Sequence, residues 1–91
     1  MLRNERNPGS ADGRQAIDWE REARRIIKSL MVRHDCSAKR LSLLLELQGI
    51  EIESRALSNR INRGTFSFAF FLQIARCLNV DKVDVRAISR Q

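Results

Sequence analysis

Apolar residues recur at three- and four-residue spacing along most of this chain, and the interruptions are short. Trp19, Ala23, Ile26, Ile27 and Leu30 share one side of a helix, with Arg21, Arg24, Arg25 and Lys28 on the other. Asp18 suits the N-cap, and Glu20 and Glu22 suit the first turn. The spacing therefore predicts a first helix running to about His34, broken at Arg33-His34-Asp35-Cys36. Ser37 caps a second helix over 38–48. Its leucines, Leu41, Leu43, Leu44, Leu45 and Leu47, go nearly all the way round. Such a helix is buried on more than one side or meets another subunit. Gly49 stops it. Residues 50–53, Ile-Glu-Ile-Glu, read as an extended connector whose isoleucines plug the core.

Ser54 caps a short third helix ended by Gly64, and Ser67 caps a fourth over 68–78. All four phenylalanines fall between positions 66 and 71, which places the centre of the core there. Asn79 suits a left-handed stop. Residues 80–88 partly alternate, which favours a short C-terminal strand over a fifth helix beginning near Asp84. Residues 1–17, with Asn7-Pro8-Gly9-Ser10 and Asp12-Gly13, read as a polar flexible arm. The predicted fold is all-α: a four-helix domain over 18–79 with a short extended tail over 80–91. Its core is expected to centre on Trp19, Leu30, Leu44, Leu57, Ile61, Phe68, Phe71 and Leu78.

The third helix is the candidate contact surface. Leu57 and Ile61, one turn apart, give it a narrow apolar stripe. Arg55, Ser58, Asn59, Asn62 and Arg63 fan across the opposite side. From 54 to 64 there is no Glu, Asp or Lys. Ser, Asn and Arg supply the donors and acceptors that suit base edges and phosphates. A solvated surface helix would also be polar, but a face without a single carboxylate favours an anionic partner.

Charge supports the same partner weakly. Lys plus Arg number 17 against 11 acids, a net charge of +6. A basic small domain favours nucleic acid first and a membrane surface second. The excess is spread along the chain, however, and not gathered in one block.

Other chemistry is poorly served. Cys36 and Cys77 lie far apart, and two Cys with one His cannot fill a four-ligand zinc site. The expected roles are a core position for Cys77 and a turn position for Cys36. His34 beside Asp35 and Cys36 is no nucleophile–base–orienter set, since neighbours in a turn do not readily converge on one substrate atom. His34 suits instead a helix C-terminus, where it complements the dipole. There is no Gly-rich phosphate loop and no paired carboxylate. The expectation is no enzyme, no cofactor, no metal and no small-molecule ligand. No apolar run approaches 18 residues, so neither a membrane span nor a secretory signal is expected, and the expected location is cytoplasmic.

The order of a leucine-rich helix, a Gly-containing turn, a Ser/Asn/Arg helix closing on Arg63-Gly64, a phenylalanine-rich helix and Leu78-Asn79-Val80 resembles the helix-turn-helix domain of phage repressor and Cro type. The phrase Asn62-Arg63-Gly64-Thr65-Phe66-Ser67-Phe68-Ala69-Phe70-Phe71-Leu72-Gln73 is similar to a bacterial family of small proteins of unknown function. Members of that family also begin with a Trp-containing helix. Together the resemblances cover roughly residues 18–85. The first implies a sequence-specific DNA-binding transcriptional regulator with its third helix in the major groove. Arg55 and Asn59 would then reach base edges, with Ser58 and Asn62 beside them. Arg63, Thr65, Ser67 and the backbone N–H groups there would hold one phosphate, and Lys39 and Arg40 another. Two features depart from the repressor pattern: the link from Gly49 to Ser54 is about two residues longer, and the apolar pair Leu57/Ile61 is spaced by four, not three. The expected partners are double-stranded DNA and a second copy of the chain. A helical interaction or assembly module without nucleic-acid binding is the alternative, because the second helix carries more leucine than one stripe can bury.

Overall fold

The structure, a computed structural model, describes residues 16–85. Four helices follow one another: α1 (Trp19–Arg33), α2 (Ala38–Leu47), α3 (Ser54–Arg63) and α4 (Phe68–Cys77). The all-α, four-helix architecture is as the spacing predicts. Of the arm assigned to 1–17, all but the last two positions lie outside the described residues, as does the end of the 80–88 segment. No strand forms among the described residues, so the expected strand is corrected over 80–85. Every other element is a helix, and a lone strand has no ladder to join. Val80 and Val83 fold back onto the core instead.

Starts and stops explain the helix limits. The Asp18 carboxylate accepts from the Arg21 N–H, the Ser37 hydroxyl from the Arg40 N–H and the Ser67 hydroxyl from the Phe70 N–H. The third helix differs from expectation. Its N-cap is Glu53, with no side-chain cap bond, and Ser54 is its first helical residue. One left-handed residue follows each helix: Asp35, Gly49, Gly64 and Asn79. After three of them the chain closes a six-to-one bond, from the N–H of Cys36 to Met31, of Ile50 to Leu45 and of Val80 to Ala75. Each of these donors belongs to an apolar residue packed on the core, so the turn and the core hold each other in place.

The core is made of Ile27 and Leu30 from α1, Leu41 and Leu45 from α2, Leu57 and Ile61 from α3, and Phe70, Ile74 and Leu78 from the end of the chain's helical part. The second helix packs on both α3 and α4, and α1 packs on α3. Ile50 and Ile52 lie against the core as expected, and the Ser42 hydroxyl donates to the Ile52 carbonyl, fastening the connector to α2.

Two expected core residues are corrected. Trp19 is 61% exposed and Phe68 is 73% exposed. Each is the first residue of its helix and overhangs the end of the packed region. Phe71 and Leu44 are half-buried, and Phe70, not its neighbours, is the enclosed phenylalanine. The cysteines are also exchanged in burial: Cys36 at the turn is buried, and Cys77 is half-buried.

Candidate nucleic-acid interface

Full burial of Leu57 and near-full burial of Ile61 fix the rotation of α3. With those two inward, Arg55, Asn59, Asn62 and Arg63 stand exposed, and Ser58 is half-buried at the edge of the face. These are the residues the sequence singles out, and the helix brings them onto one side. Arg60 is also a polar residue of α3, but it turns elsewhere. Its guanidinium lies 4.3 Å from the centre of the Phe70 ring, a cation–π contact that seals the core edge.

The expected phosphate contacts divide between two places. Arg63 and Thr65 are exposed beside the end of α3, and Ser67 follows them. The Ser67 hydroxyl oxygen already accepts from the Phe70 N–H at 3.0 Å. Its hydroxyl proton is what it could offer an anion. Lys39 and Arg40 are exposed on the first turn of α2, where the Arg40 N–H is held by Ser37 at 3.1 Å.

Two contacts bind the C-terminal end of α3 to α1. The Arg24 guanidinium donates to the Asn62 carbonyl at 2.9 Å. Gly64, at φ 70°, sits against the backbone of Glu20, and a Cβ there would run into the Glu20 carbonyl. Only glycine meets both demands at that crossing.

Sequence reasoning missed what α1 does with its charges. Glu22 is 2% exposed, although it looks like a first-turn acid. Its carboxylate accepts from the Arg25 Nε at 3.0 Å and lies 3.5 Å from the Arg21 guanidinium. The (i, i+3) placement of Glu22 and Arg25 was the available signal. The same helix carries cations at 21, 24, 25, 28 and 33 along one open surface with Ser29 and Val32. The spacing of the first four, by three and four, was visible in the sequence as well.

Cys36 and Cys77 are free. Burial pushes the Cys36 thiol up, partly offset by Arg40 and reinforced by Asp35. Burial pushes Cys77 up too, with Cys36 adding to it. Among the described residues no group of three His, Cys, Asp or Glu is placed to hold a metal ion, and no helix is long and apolar enough to cross a membrane.

Neither a curated protein nor a solved structure matches the chain. A family model described as a domain of unknown function, DUF6471, matches residues 19–83, from the start of α1 to the segment that folds back after α4, and the chain belongs to that family.

Proposed function

We propose that the protein is a sequence-specific DNA-binding protein, a transcriptional regulator that sets α3 in the major groove and works as a homodimer. One observation carries this reading. The outward face of α3 presents Arg55, Asn59, Asn62 and Arg63, all exposed, on a helix that has no acid and whose rotation is fixed by Leu57 and Ile61. Arg is the bidentate partner of guanine and Asn of adenine, and each good pair discriminates by about 1–3 kcal/mol. Lys39, Arg40, Arg63, Thr65 and Ser67 serve as backbone-positioning contacts. Such contacts fix register and carry no sequence information.

The test is selection of a site from a random duplex library, followed by titration of variants on the selected site. Arg55→Ala and Asn59→Ala should each weaken binding by about 5- to 150-fold, the equivalent of that 1–3 kcal/mol, and should leave the melting temperature close to the parent's because both side chains are exposed. If both variants fold and bind as the parent does, the assignment of α3 is wrong.

A specific observation also favours the alternative, an interaction or assembly module. Ala23, Ile26, Phe66, Phe68, Phe71 and Val83 line an apolar groove between α1 and the start of α4. Exposed apolar surface of this kind marks association. Failure of the library selection, together with self-association in solution, would favour that reading.

A further inference from the structure

We propose that the basic face of α1 is a second nucleic-acid contact, a sequence-independent clamp on the phosphate backbone that continues the surface of α3. The inference rests on the DNA-binding reading for its choice of duplex. Arg21, Arg24, Arg25 and Lys28 recur at helical spacing on the side of α1 away from Ile27 and Leu30, and Arg33 extends the row. From Arg21 to Arg33 the row is about 18 Å long at 1.5 Å per residue. Each DNA strand carries one charge per roughly 3.4 Å of helix axis, so such a row meets several phosphates.

Three acids border this surface: Glu20 and Asp84 are exposed at its edges, Asp84 beside Arg25 and Arg33, and Glu22 is buried and held by Arg21 and Arg25. Glu22 therefore fixes two guanidinium groups in place more than it offers negative charge to a ligand. A guanidinium has five donors, so the contact with Glu22 at 3.5 Å leaves Arg21 able to engage a phosphate. Arg24 forms the seam. Its bond to the Asn62 carbonyl starts the α1 row beside the last turn of α3, where Arg63 is exposed.

The chemistry of the row separates duplex from membrane. An amphipathic helix lying on lipid needs its apolar face available to insert. On the apolar side of α1, Ile27 and Leu30 are enclosed in the core and Ala23 and Ile26 line the groove against α4, while Trp19 at the helix start is exposed; Val32 is the exposed large apolar residue among the cations. Four of the five cations are Arg, whose planar fork pairs with phosphate oxygens two at a time.

The experiment uses the full chain and titrates fluorescent duplexes at 50–300 mM salt, one of random sequence and one carrying the selected site. The α1 variant is Lys28→Gln/Arg33→Gln, which spares the partners of Glu22 and Asn62. The α3 variant is Arg55→Ala/Asn59→Ala. Melting temperatures confirm that both fold. The expected result for the α1 variant is weaker binding to both duplexes, a slope of log K against log salt that is shallower by about 2, and an unchanged preference between the duplexes. The α3 variant should lose the preference and keep its affinity for random duplex to within a few-fold. Parent-like affinity and slope in the α1 variant would overturn the clamp while leaving the α3 reading intact. Loss of affinity in the α1 variant with no effect of the α3 variant would keep the clamp and overturn the α3 reading. Absence of duplex binding by the parent, or α1-dependent binding to 3:1 phosphatidylcholine–phosphatidylserine vesicles in its place, would overturn both.

Discussion

Phe70 is enclosed by Ile74 and Leu78 on its own side of the chain, faces the Phe66 ring at 5.8 Å and lies under the Arg60 guanidinium. Phe68, two residues earlier, meets the Phe71 ring at 6.0 Å but stays largely in solvent. Truncation should therefore separate them. Phe70→Ala is expected to cost about 3–5 kcal/mol, close to the whole stability of a small domain. Phe68→Ala should stay within about 0.5 kcal/mol of the parent. Urea denaturation followed by helix signal measures both, and equal costs would show that the core is centred elsewhere. The phenylalanine cluster was legible in the sequence, but the choice within it was not. Phe70 pairs with Ile74 and Phe68 with Leu72 at the same four-residue spacing, so periodicity supports either stripe. What decides is which stripe α2 packs against, and that is a tertiary fact.

At the scale of elements, the fold depends on how tightly α1 crosses the end of α3. Gly49 and Gly64 both end helices at positive φ, 84° and 70°. A Cβ on Gly49 would meet nothing within 4 Å, whereas one on Gly64 would strike the Glu20 backbone. Gly49→Ala carries only the left-handed penalty, about 1–2 kcal/mol. Gly64→Ala adds overpacking against a helix backbone, about 1–3 kcal/mol more. The difference between the two melting curves isolates the crossing, and equal costs would mean that α1 can move aside. Both glycines were legible as stops, because helix ends are a local matter. The crossing was not, since Glu20 and Gly64 meet only when the chain is folded. The start of α3 misled for a related reason. Ser54 has the right identity for a cap, but the helix begins one residue sooner, at a Glu that makes no cap bond, because burial of Leu57 and Ile61 sets the helix more firmly than its first side chain does.

At the scale of the whole molecule, α2 carries part of the apolar surface that the monomer leaves over. The surplus of leucine was legible, since five leucines in seven positions exceed one stripe. Which of them would be left out was not, and it depends on α3 and α4 both packing on the Leu41/Leu45 side. Leu43 is 58% exposed and Leu47 is 83% exposed, one turn apart on α2. Val85, after α4, is another exposed apolar position. The proposed homodimer would cover one of these, and it would set two copies of α3 against half-sites about 34 Å apart, one turn of duplex. Sedimentation equilibrium at micromolar concentration should then give twice the 10.5 kDa chain mass. Leu43→Ser/Leu47→Ser should return it to the monomer if α2 forms the interface, and Val85→Ser should do so if the tail does. Because all three side chains are exposed, neither variant should lower the melting temperature of the monomer by more than a few degrees. A parent that sediments as a strict monomer would remove the two-half-site mechanism. It would leave one α3, its flanking phosphate contacts and the α1 row on a single site, an arrangement whose affinity depends on phosphates and falls steeply with salt.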